Sequence, residues 1–187
     1  VSDKSALEKI FTETAGLIAV HAEDEDRMKE RKKLVEGRTD VAAHAYYRDD
    51  ITALLATKLA VELAHKTGHR LHILHLTSGI EADFLADHCK LPSQAENYPI
   101  ITTEVLPQHL TFDETDVDEQ GVRLQMNPPI RYAADREILW KRLVDGTIQC
   151  IATDHAPHTL EAKAKGFPKA PSGMPGVETS LPVMLNY

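Results

Sequence analysis

Four short apolar, β-branched runs are separated by longer stretches of helical period, and that alternation constrains this chain more than any other feature. It is the pattern of βα units that build a parallel sheet. The runs fall at Leu17–Val20, Arg70–Leu76, Ile100–Val105 and Thr147–Thr153. Between the first two, residues 48–66 carry Ile51, Leu54, Leu55, Leu59 and Leu63 on one helical face, with Gly68 as the expected C-cap. Further helices are expected over Gly79–Cys89 and Ala134–Val144. Residues 91–99 read as a loop, as does the proline-rich stretch 168–176. Both ends of the chain fall within helical patterns that look cut, SALEKIFTETAG at the start and GVETSLPVMLNY at the finish.

Three of the four runs end on polar residues. LIAV leads into His21-Ala22-Glu23-Asp24, RLHIL into His75, and TIQCIAT into Asp154. In a barrel of parallel strands the chemistry gathers at the C-terminal strand ends, where the βα loops share one mouth. Histidine and carboxylate at such a mouth are ligand types that zinc accepts. Any one of these residues alone is more simply a hydrogen-bonded structural group, and it is the repetition that favours a site. His72 lies three residues before His75, so strict alternation sends the two to opposite faces and leaves His72 a structural role. His44, His65, His69 and His88 have no evident partner in the sequence and read as solvated.

Charge and length narrow the classes. With 21 basic and 29 acidic residues the net charge is -8, which argues against nucleic-acid or membrane-surface binding. No apolar run reaches the length of a membrane span and no signal-peptide pattern opens the chain, so a cytoplasmic location is expected. Two cysteines, Cys89 and Cys150, make no disulfide framework.

ATDHAPHTLEAK at 152–163 resembles the second signature of the dihydroorotases. QMNPPIRYAADRE at 125–137 resembles that family's Asn-Pro-Pro segment, and VHAED, LHILHLTS and TEVLPQHLTF resemble further blocks in the expected order. The resemblance implies an α/β fold, the (β/α)8 TIM barrel of the amidohydrolase superfamily. Residues 1–187 would then cover about its second half, strands 5–8. The family's His-x-His pair and bridging group do not occur in this sequence. A barrel of this kind takes about 250 residues, so the domain is expected to be partial and the isolated chain inactive. Its open strand edges should call for the N-terminal half of the barrel or another partner.

Carried over position by position, the resemblance makes His21, His75 and Asp154 metal ligands, with Asp154 also the catalytic acid–base. Asn127, His158, Ser172 and Gly173 become substrate-binding residues. Ser172 departs from the aromatic residue common there, and Gln108 departs from a usual histidine, which leaves His109 a hydrogen-bonded residue shaping the mouth. Pro128 and Pro129 are expected to hold Asn127 extended, and Arg131 is expected to pair with Asp135. The implied cofactor is Zn2+, two per complete site, lowering the pKa of water between them so that a carboxylate can accept its proton. The implied reaction is the reversible cyclisation of N-carbamoyl-L-aspartate to dihydroorotate in pyrimidine synthesis. Two other readings remain. One is another cyclic amidohydrolase, of allantoinase or hydantoinase type; the other is a non-catalytic subunit supporting aspartate transcarbamoylase. A homo-oligomer is expected in either catalytic case.

Overall fold

A computed structural model describes residues 3–89 and 101–187. Along the chain run α1 (Lys4–Glu13), β1 (Leu17–Val20), α2 (Glu25–Lys32), α3 (Ala42–Tyr47), α4 (Asp50–Thr67), β2 (Arg70–Leu76) and α5 (Gly79–Ala86). They are followed by β3 (Ile101–Val105), α6 (Pro107–Thr111), α7 (Glu114–Gln120), α8 (Ala133–Val144), β4 (Cys150–Ile151), α9 (Leu160–Lys163) and α10 (Ser180–Leu185). The four strands form one parallel sheet in the order β1-β2-β3-β4. Sequential parallel strands joined by helical crossovers form a continuous arc of βα units.

The first two strands match the sequence pattern to the residue, and β3 begins at Ile101, the first described residue after 89. The fourth is shorter than Thr147–Thr153, because only Cys150 and Ile151 ladder with Glu104 and Val105. The expected loop at 91–99 lies outside the described residues. Helix α4 forms for the reasons its sequence supplies. Asp49 caps its start by accepting the Thr52 amide, and Gly68 closes it in the left-handed region. Of the expected stripe, Leu63 is buried and Ile51, Leu54 and Leu59 are partly so, whereas Leu55 is 44% exposed. Ala53, Thr57, Ala60, Val61 and Ala64 also face inward. Small residues there let the helix lie close to its neighbours.

One face of the sheet is packed and the other is open. Leu71, Ile73, Ile101 and Val105 are fully buried, and join Phe11, Leu63, Leu85, Leu139 and Ile148 in the main core beneath the helices. Their alternates Ala19, His72, Leu74, Thr102 and Glu104 are partly or largely exposed. A second core of Leu106, Val117, Leu124, Met126, Ile130 and Met174 lies beyond the C-terminal end of β3. It supports the segments that carry Asn127 and residues 170–176. Among the described residues no helix is long and apolar enough to cross a membrane.

Candidate active site

His21, His75 and Asp154 sit at or just beyond the C-terminal ends of β1, β2 and β4 of the one parallel sheet. His21 Nδ1 lies 2.9 Å from His75 Nε2, and the two rings meet edge to face. The negative charge of Asp154 acts on His75 and partly opposes the downward shift that burial and His21 impose on its imidazole. His75 and Asp154 are the two non-glycine residues of positive φ among the described residues, at 36° and 41°. Such backbone is uncommon outside glycine and gathers where side chains must be aimed against the local preference.

That strain corrects the simple alternation argument for β2. His72, not His75, follows the open face, where its ring meets Thr102 Oγ1 at 2.8 Å and Glu104 Oε2 at 3.1 Å. Strict alternation would place His75 with Leu71 and Ile73 on the packed side. A register irregularity between Ile73 and Leu76, together with the positive φ, turns it toward His21 instead. Glu104 Oε1 accepts the His75 amide at 3.3 Å and steadies this turn.

Glu23, for which the sequence alone suggests no role, organises the site. Its side chain is fully buried, and its Oε2 accepts from His21 Nε2 at 2.8 Å and from Arg48 Nη1. Burial alone would raise the Glu23 carboxyl, but the His21 hydrogen bond and the Arg48 guanidinium outweigh it and hold the group low. A proton fixed on His21 Nε2 leaves Nδ1 with its lone pair, facing His75. A carboxylate behind an imidazole is the usual outer support of a metal-binding histidine.

This donor set fits part of a zinc site. Two imidazole nitrogens face one another, one of them backed by a carboxylate, which suits two positions of a tetrahedral ion. Among the described residues, however, no group of three or more His, Cys, Asp or Glu side chains converges closely enough to hold a metal ion. The remaining ligands of a four-coordinate site are not supplied by these residues.

Asn127 and His44 form a second cluster. His44 Nε2 lies 3.0 Å from the Met126 carbonyl and 2.9 Å from Asn127 Oδ1. Both partners are acceptors, so Nε2 carries the proton, and the Asn127 amide nitrogen is left facing outward from this contact. His44 is therefore not the solvated residue expected. It is 4% exposed, and burial with the nearby Arg48 charge lowers its pKa to about 4, keeping it neutral. His109 behaves as expected: it is buried, within 3.2 Å of the Pro128 carbonyl, and burial lowers its pKa to about 3. The Asn127-Pro128 peptide is cis. Arg131 donates to Thr77 Oγ1 and to the Arg48 carbonyl, while Asp135 accepts the Gly79 and Tyr132 amides, so the expected direct pair does not form.

The third cluster is the segment from His155 to Gly176, which is largely exposed at its start but tied down at 170–176. Ala170, Gly173, Met174 and Gly176 are buried. Gln125 anchors it, donating from Nε2 to the Ala170 carbonyl at 2.8 Å and to Ser172 Oγ at 3.2 Å. The Gln125 carbonyl accepts from the Gly173 amide and from the buried Lys163 ammonium. His158 Nε2 donates to the Ser172 carbonyl at 2.9 Å. As bonded here, its free Nδ1 can donate to a substrate only when the ring carries two protons. His155 Nδ1 accepts the Gly176 and Val177 amides, which fixes the turn after Asp154. His65 and His88 contact each other at 3.1 Å and His69 meets Thr14, so these three have partners as well.

Parallel βα units with histidine, carboxylate and amide groups gathered at the strand ends define an amidohydrolase-type barrel. The comparisons agree: over 97% of this chain the fold is similar to L-hydantoinase (dihydropyrimidinase) from Arthrobacter aurescens, with a TM-score of 0.87, 30% identity and 41% of that chain covered. Dihydropyrimidinase from Brevibacillus agri is similar over 98% of this chain, with a TM-score of 0.85, 27% identity and 41% of that chain covered. Within that class the sequence relatives are dihydroorotases, and the chain is a homologue of them. It is 39% identical over 171 residues to the dihydroorotase of Halobacterium salinarum, covering 90% of this chain and 37% of that relative. It is 45% identical over 119 residues to the dihydroorotase of Lactococcus lactis, covering 64% of this chain and 27% of that one. The matches thus span between about a quarter and two fifths of the length of these relatives. No protein-family model matches it.

Proposed function

We propose that residues 1–187 form part of a metal-dependent amidohydrolase domain, about strands 5–8 of the barrel, and that the whole protein is a cytoplasmic dihydroorotase. It would interconvert N-carbamoyl-L-aspartate and dihydroorotate. The observation that carries this reading is the meeting of His21 and His75 at 2.9 Å, backed by Glu23, at the same strand ends as the strained Asp154. In this reading His21, His75 and Asp154 would hold zinc, which when bound supplies Lewis acidity at the amide carbonyl and at water.

The chain's own residues have distinct tasks. Asp154 accepts the proton of the attacking water and returns it to the leaving amide nitrogen. Asn127, oriented by neutral His44, offers its amide N–H to a ring carbonyl. His158, fixed by its bond to the Ser172 carbonyl, lines the place of the substrate carboxylate. Ser172 and Gly173 form the wall beside His158. Glu23 keeps His21 in the tautomer that presents Nδ1.

Structural likeness to hydantoinases favours a second reading, a different cyclic amide as substrate. The higher identity to dihydroorotases supports the first. Retention of His21, His75 and Asp154 argues against a purely supporting subunit for a transcarbamoylase. The deciding experiment joins this chain to a barrel front half carrying the remaining ligands, loads zinc, and compares dihydroorotate, allantoin and hydantoin. Turnover confined to dihydroorotate is expected, and comparable rates on all three rings would remove the assignment. The 187-residue chain alone should bind zinc weakly and turn over none of them.

A further inference from the structure

A cavity of about 500 Å³ opens between α2 with its following turn, the end of α3, and residues 167–172. It is separate from the imidazole pair, because neither His21 nor His75 lines it. Its charge is the reverse of the whole chain's. Against a net charge of -8, five cationic side chains line this one space with a single carboxylate, Glu36.

Three of those cations already have partners. Arg38 pairs with Asp40, Arg48 with Glu23, and Lys29 with Glu25 and Asp26 on its own helix. Lys32 and Lys33 differ: among the described residues neither has a carboxylate within ion-pair distance. Two adjacent ammonium groups beside two guanidiniums repel one another, and that repulsion is relieved when an anion sits between them. The remaining wall is suited to an organic ligand rather than a bare ion. Tyr47 and Phe167 supply aromatic surface, while Ser172 and Gln125 supply polar atoms.

We propose that this cavity binds a small organic anion carrying at least two negative charges, a dicarboxylate or a phosphate ester, held by Lys32 and Lys33. The cavity adjoins the site proposed above, since Ser172, His44 and Arg48 line it, but Lys32 and Lys33 take no part in the reaction proposed there. Arg48 also holds Glu23, so an occupant would bear on the support of His21.

Calorimetric titration of the 187-residue chain with malonate and, separately, with phenyl phosphate tests this. Saturable binding at about 1:1 below about 10 mM is expected, and the tighter of the two identifies the source of the charge. Lys32→Glu/Lys33→Glu should weaken binding at least about tenfold, the effect of losing two partly exposed ion pairs. Lys32→Ala/Lys33→Ala should act in the same direction without adding charge. Lys9→Glu/Lys141→Glu makes the same change in net charge on exposed positions outside the cavity lining and should leave binding within about twofold. No saturable binding of either anion, or equal losses in the cavity and control variants, overturns the proposal.

Discussion

Substituting Gly173 with alanine isolates how tightly the segment after Asp154 is built. Gly173 has a φ of +140°, and a Cβ there would stand 2.5 Å from the Ala156 carbonyl oxygen and 3.0 Å from both Ala156 Cβ and His158 Nε2. The carbonyl belongs to the backbone, and the Ala156 amide is itself bonded to the Met174 carbonyl at 3.0 Å, so it has little room to retreat. Gly37 provides the comparison, with a φ of +81° and nothing within 4 Å of its virtual Cβ. Gly37→Ala thus reports backbone strain alone, about 1–2 kcal/mol. Gly173→Ala adds overpacking of about 1–3 kcal/mol. At about 2–4 °C per kcal/mol for a chain of this size, Gly173→Ala should melt about 10 °C below wild type and Gly37→Ala about 4 °C below. Thermal melts by circular dichroism measure both, and the imidazole NMR signal of His158 should shift only in Gly173→Ala, where its bond to Ser172 is disturbed. Equal melting temperatures with an unchanged His158 signal would refute the close packing of this segment around His158.

Asp154→Asn keeps the side-chain shape and removes the base, so kcat of the reconstituted enzyme on dihydroorotate should fall at least about a hundredfold; near-normal turnover would make Asp154 a ligand only. Glu23→Gln should weaken zinc binding by about ten- to a hundredfold, read by competition with a chelating dye, because His21 loses its carboxylate support; unchanged affinity would show that the tautomer is fixed elsewhere. Asp49 gives a pH test. Burial raises its pKa, but its bonds to Arg27 and Thr52 outweigh this and set it at about 2, below the usual carboxylate range. A depressed pKa stabilises the fold above the unfolded value and is lost as pH falls from about 4 through about 2. The stability gap between wild type and Asp49→Asn should therefore narrow over that interval, by about 1 kcal/mol after allowance for solvent screening; a gap constant from pH 6 to 2 would contradict the ion pairing.

The strands were legible because β2 carries Leu71 and Ile73 at alternate positions in a β-branched run, and Gly68 marks the end of the helix before it. β4 is shorter than its composition predicts: Thr147–Thr153 has strand composition throughout, yet only two of its residues find a ladder partner. Composition reports the preference of a segment, whereas hydrogen bonding depends on the reach of the neighbouring strand. The same gap hid α4's inward face. Leucines announce a stripe, and Leu63 is buried as expected, but alanines and threonines share the inward face and Leu55 lies outside.

The histidines separate what sequence can carry from what it cannot. His21 and His75 were readable because strand ends are local features, fixed by the residues just before them. His44 was not, since its partners, the Met126 carbonyl and Asn127, lie 82 and 83 residues away. A short helix with one buried histidine looks the same in sequence as one with an exposed histidine. Its role follows only from the packing that takes it out of water, and that packing decides its chemistry too. A His44 left in solvent would titrate near neutral pH and could donate to Asn127 from either nitrogen. Buried, it stays neutral, its single proton is committed to Nε2, and Asn127 is held with its oxygen inward and its amide N–H available to a ligand. The outward-facing amide of the Asn-Pro-Pro segment, proposed above as a substrate donor, is thus set by a residue that the segment itself does not contain.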